Sequence, residues 1–232
     1  MNVLGELLRE TPPTPASAET HQSAAHVEKP QPERLAKFSV RDDQIHSLVQ
    51  RLFFRRDSGL VRHVGFTPAE PSAQTARLCF DVAKALVDEG TYEVGLIDAD
   101  VRALSLPAQL QIPVPTDAQA PWAIAPGVWL VPRESWCRHT CRQPATDQNL
   151  RRLHDLVSEF DFSIVHCPPV SWLTARIGQS CDGLVLVLTA NRTRRLVAAQ
   201  IKDRLSAASI PLLGTVLAER RFPVPNGLYR SL

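Results

Sequence analysis

The chain has no long apolar run. Its longest, GLVLVLTA at residues 183–190, falls well short of the ~20 residues a membrane-crossing helix needs, so no direct membrane span is expected. It also lacks a charge excess. Lys and Arg total 26 against 24 Asp and Glu, a formal net charge of +2, and no basic field argues for nucleic acid. The five cysteines form no even, regularly spaced set, so they read as reduced thiols and not as a disulfide framework. The opening MNVLGELLRE has neither a basic n-region nor a cleavage site, so no secretory signal is expected. No G-x-G-x-x-G follows the first predicted strand, which argues against a dinucleotide-binding oxidoreductase. No internal repeat is visible. These absences leave a soluble cytoplasmic protein.

What is present divides in two. Residues 9–40 hold prolines 12, 13, 15, 30 and 32 among Ala, Ser, Thr, Glu and His. Such a composition buries too little apolar surface to offset the entropy of ordering, so residues 1–40 are expected to be a disordered N-terminal arm. Its leading NVLGELL is either a short helix docking on a partner or a frayed terminus. Residues 41–232 read as one domain. A helix is expected from near Arg41, with Ile45, Leu48, Leu52 and Phe53 at helical spacing. Strands are expected at 60–67, 92–98, 128–132, 162–167, 183–189 and 211–218, and helices at 73–89, 146–160 and 193–208. FSIVHC and GLVLVLT are near-continuous apolar strands of the kind buried on both faces. Alternating strands and helices predict an α/β domain of three layers, with a mostly parallel central sheet flanked by helices.

The stretch HVGFTPAEPSAQTARLCFDVAKAL, residues 63–86, reads as buried strand, turn and amphipathic helix. Early in a domain, that layout carries phosphate-gripping loops, which use glycines to bring backbone N–H groups round the anion and a lysine to neutralise it. Here the only glycine is Gly65 and the only lysine is Lys84, well down the helix.

Four ordered segments resemble the bacterial tyrosine kinases (BY-kinases) of capsule and exopolysaccharide export, P-loop proteins related more widely to MinD/ParA-type ATPases. GFTPAEPSAQTA is similar to their P-loop, VTSAEPGEGKTT. VGLIDADVRALSL resembles LLIDADLRRPSL, FDFSIVHCPPV resembles YDFVIIDTPPV, and CDGLVLVLTANRTRR with PLLGTVL resembles ADGVLLVVRAGRTRR with LLGVVLN. The likeness spans 41–232 and implies a P-loop NTPase-like domain in which Asp98 and Asp100 would serve Mg²⁺ and the acceptor hydroxyl. A plainer alternative has both carboxylates capping the turn after their strand, a use that also suits Asp182 before the strand at 183.

The same likeness shows what has changed. Along the degenerate loop of Ser72, Ala73, Gln74, Thr75 and Ala76, Ser72 and Gln74 stand where the family has glycine, and Thr75 where it has lysine. A one-residue gap puts Gln74 at the lysine position instead. Nine helical residues, roughly 13 Å at 1.5 Å each, separate Lys84 from Thr75, too far for a lysine to reach back. Arg77 lies two residues on and faces another side of the helix. One lost charged hydrogen bond to phosphate removes about 1.5–3 kcal/mol. His166 replaces the family's Walker B aspartate, and a neutral imidazole suits hydrated Mg²⁺ poorly.

Other family features are thin. Active members carry a C-terminal tyrosine cluster, whereas this chain has two tyrosines, and only Tyr229 is placed to accept a phosphate; anchoring its tail is the plainer use. The family's oligomerisation motif, E-x-x-R-x-x-R, aligns with Asp43, His46 and Val49, which keep only the acid. Cys137, His139 and Cys141 alternate and would share one face of a strand with His166 and Cys167 to complete a zinc set, but the spacing matches no common zinc pattern. Trp122, Trp129, Trp136 and Trp172 are expected to pack, or to form a partner surface. The expectation is a pseudokinase needing neither ATP nor Mg²⁺. It would regulate or scaffold polysaccharide export at the inner face of the membrane, on a membrane-embedded chain-length regulator or an active kinase paralogue. The alternatives are an active autokinase that binds Mg-ATP through an atypical loop, and a MinD/ParA-like positioning ATPase.

Overall fold

Seven strands form one sheet in the computed structural model, which describes residues 40–54, 59–116, 118–137 and 146–219. Helix α1 (Val40–Phe53) precedes β1 (His63–Pro68), α2 (Ala73–Asp88), β2 (Val94–Asp98) and the short α3 (Leu106–Leu110). Then come β3 (Trp122–Ala125), β4 (Val128–Val131), α4 (Arg133–Trp136), α5 (Asp147–Ser158) and β5 (Phe162–His166). The described chain closes with α6 (Trp172–Gly178), β6 (Gly183–Thr189), α7 (Arg195–Ala207) and β7 (Leu212–Ala218). The spatial order is β3-β4-β2-β5-β1-β6-β7, with every pairing parallel except β3 on β4.

The three-layer expectation holds. On one face, Val64, Phe66, Leu96, Ile164 and Val185 pack under α2 and α1, whose Val49 and Phe53 are buried there. On the other, Ile97, Val165, Leu184 and Leu186 meet Leu153, Leu173, Ile177 and Ile201 of α5, α6 and α7. Successive strand residues supply opposite faces, which is why these strands carry almost no polar positions. Gly65 leaves room for the side chain of Leu184 on the adjacent strand, whose Cδ2 would meet a Cβ placed there. Phe53, Phe54 and Tyr92 meet Phe162 edge to face, with Tyr92 and Phe162 centroids 4.9 Å apart. Tyr92 is thereby a packing residue.

Several boundaries differ from the sequence expectation. The first strand begins at His63, not residue 60, because Asp182 turns the entry: its Oδ2 accepts from the Arg62 and His63 N–H groups at 2.7 and 2.8 Å. Asp182 thus ties two distant segments together, whereas the sequence expectation is a local turn cap. Helices α3, α4 and α6 and strand β3 were not anticipated, being too short for a periodic signal. Trp136 is fully buried, as expected of a packing residue, but Trp172 is 62% exposed. No helix among the described residues is long and apolar enough to cross a membrane. Apart from Val40, the expected arm at 1–40 lies outside the described residues.

Candidate functional site

Three central strands, β2, β5 and β1, end side by side, with Asp98 and Phe66 both in register with His166. In parallel α/β sheets, ligands gather at this carboxyl edge. Two loops shape it, one from β1 to α2 and one from β2 to α3.

The first loop is tied to the neighbouring segments and to its own helix. Thr67 Oγ1 donates to Pro168 O at 2.8 Å, and Ala69 N donates to Val187 O at 2.9 Å. Ser72 is the N-cap of α2, with extended backbone, and its Oγ accepts from Gln74 N at 3.2 Å. The cap satisfies one of the helix's open N–H groups within the chain. Ala73 and Gln74 are exposed, whereas Thr75 and Ala76 are buried, and the buried Thr75 Oγ1 has no hydrogen-bond partner. The nearest basic side chains on the helix are engaged further down. Arg77 Nε lies 3.0 Å from Asp81 Oδ1 with its guanidinium 5.8 Å from the Phe80 ring centre, and Lys84 Nζ lies 5.9 Å from the same ring.

The second loop carries charge. Asp98 is fully buried, and its Oδ2 accepts from Leu106 N at 2.8 Å, Arg133 Nε at 3.0 Å and Arg133 Nη2 at 2.8 Å. Arg133, at the start of α4, also donates from Nη1 to Ala103 O at 3.1 Å. From the same short helix, Trp136 Nε1 donates to Asp98 O at 2.9 Å. Asp100 Oδ1 accepts from Arg102 N at 3.0 Å and Ala103 N at 3.3 Å, the local turn-capping use weighed for it from sequence. Asp98 Oδ1 has no hydrogen-bond partner and faces His166 Nδ1, likewise unpartnered, at 4.0 Å. Next to His166, burial pushes the Cys167 thiol well above its ordinary value, with Cys181, Cys79 and Asp100 adding to the shift, so it is a packing group and no nucleophile.

Asp98, Asp100, His166 and the start of α2 thus share one edge, as their order in the sequence suggests. The residue that sequence reasoning missed is Arg133. Its one local signal is a charged residue directly after the apolar strand VWLVP, on the strand that pairs with β2. Cys137 caps α4 and lies on no strand, so the alternating-face premise for zinc fails at that residue, and His139 and Cys141 lie outside the described residues. Among the described residues no three His, Cys, Asp or Glu side chains gather to hold a metal. Tyr229 also lies outside them. On α1, His46 Nδ1 lies 3.3 Å from Glu89 Oε1 and Val49 is buried, so these two positions of the aligned oligomerisation motif face α2 and the core.

Sheet order and strand direction give the chain a P-loop NTPase-like fold. Among solved structures, the chain is similar to the chimerical protein CapA2B2, at 18% identity over 78% of this chain and 85% of that one, with a TM-score of 0.66. It is similar to the VpsO kinase domain at 16% identity over 78% and 97% (TM-score 0.63), and to the kinase domain of the Escherichia coli tyrosine kinase ETK at 16% over 80% and 80% (TM-score 0.63). The resemblance to bacterial tyrosine kinases therefore holds at the level of the fold. No protein-family model and no curated protein matches the chain.

Proposed function

We propose that this chain is a catalytically impaired BY-kinase-like protein, a regulator or scaffold in exopolysaccharide or capsule synthesis and export. It keeps the fold as a docking surface for a membrane-embedded chain-length regulator or an active kinase paralogue, at the inner face of the membrane. The observation that carries this reading is the first turn of α2: Gln74 and Thr75 stand where phosphate needs a cation, and Arg77 is paired with Asp81 instead. Phosphoryl transfer relies on positioning and charge stabilisation, so a site without that cation loses turnover as well as affinity. Ser72 spends its hydroxyl on capping the helix, which fits a loop serving structure.

The rival is an autokinase that binds Mg-ATP at the altered loop, with Asp98 in catalysis and Tyr229 as acceptor. Incubating the purified chain with γ-labelled ATP and Mg²⁺ separates the two. The scaffold reading expects no label on the chain alone. Mg²⁺-dependent label on Tyr229 that disappears in Asp98→Ala would overturn it.

A further inference from the structure

The loop between β2 and α3 is held by a charge from inside the protein. One guanidinium reaches both of its arms, with Arg133 Nε and Nη2 on Asp98 Oδ2 and Nη1 on Ala103 O. Leu106 N closes the far end onto the same carboxylate oxygen at 2.8 Å. Arg133 is itself nearly buried, its side chain 11% exposed. A planar, permanently charged fork can make all of these contacts at once, where a point charge could not.

The fold family implies Mg²⁺ at this carboxylate, and the residues here do not fit it. Oδ2 already accepts three hydrogen bonds. Oδ1 is buried and faces an imidazole nitrogen at 4.0 Å, whereas Mg²⁺ takes an octahedral oxygen shell and keeps several waters. A divalent ion would also sit beside a guanidinium of like charge, in surroundings that screen it weakly.

We propose that Arg133 is an internal cation that takes the metal's place at Asp98. It neutralises the buried carboxylate and orders residues 99–105, so this edge, with its exposed Arg102 and Leu104, keeps one shape without metal or nucleotide. The proposal deepens the scaffold reading and rests on taking this edge as an altered nucleotide site. A partner docking here would meet the same surface whatever the ATP level.

Hydrogen exchange read by mass spectrometry on the full chain, in EDTA and in millimolar Mg²⁺ or Mn²⁺, tests it. In the wild type, protection at 102–106 is expected to be the same in all three. In Arg133→Ala, protection there is expected to fall on the order of 100- to 1000-fold or more, the scale of breaking a buried charge pair. Should that variant not fold, Arg133→Lys is expected to loosen the loop about tenfold, the scale of one charged hydrogen bond, while α2 keeps its protection. A wild-type loop that tightens with metal, and stops doing so in Asp98→Asn, overturns the proposal. So does unchanged loop protection in whichever Arg133 variant folds. The two readings fail separately: labelled phosphate on Tyr229 overturns the first, and a metal-sensitive loop overturns the second.

Discussion

The two loops at the carboxyl edge solve the same problem differently. From β1 to α2 the chain runs through Ser72, Gln74 and Thr75, with no glycine or lysine among them, and it closes the helix end with its own Ser72. From β2 to α3 it has kept both acids, buried Asp98, and brought in Arg133 from another element to balance it. The first loop carries one acid, Glu70, and ends on a local helix cap, while the second is held by a charge brought from another element. On the reading proposed above, a site leaves nucleotide chemistry either by lacking a charge or by compensating one internally, and the second route leaves an apparently intact motif.

The sharpest break between the loops comes from Arg133→Ala. Removing one partner of a buried pair leaves Asp98 charged and uncompensated, so about 3–5 kcal/mol of stability should disappear in urea titration. Arg77→Ala, which removes an ion pair with a 56% exposed arginine on the other loop's helix, should cost less than about 1 kcal/mol. Equal losses would erase the distinction drawn here.

Next in size is a cation installed at the first loop. Thr75 is buried, so Thr75→Lys should cost at least ~1–3 kcal/mol from overpacking alone, before any charge is counted. Gln74 is exposed, and Gln74→Lys should stay within about 0.5 kcal/mol of the wild type. Thermal melts of the pair decide which position can carry a cation. Smaller again, Ser72→Ala should remove about 1 kcal/mol, the worth of an N-cap. An unchanged melting temperature would show that this loop is not self-satisfied through its cap.

How far the sequence reveals this follows from distance along the chain. The layered sheet is legible because β5 and β6 are apolar on both faces, which only a covered parallel strand requires. The turn into α2 is legible because residues 72–76 form one short run and the Ser72 cap is local. Arg133 is not, since 35 residues separate it from Asp98 and its helix has four residues, too few for any period. Asp98 by itself therefore reads as a free carboxylate. Trp172 is legible only as an alternative, a large aromatic side chain that the sequence lets either pack or face a partner and that the fold leaves at the surface.

The central claim is that this edge has no cation-assisted hold on a triphosphate. Equilibrium titration of the purified chain with a fluorescent ATP analogue, with and without Mg²⁺, addresses it most directly. The account expects no saturable binding at millimolar ligand in either condition. Micromolar, Mg²⁺-dependent binding that is lost in Asp98→Ala would contradict it.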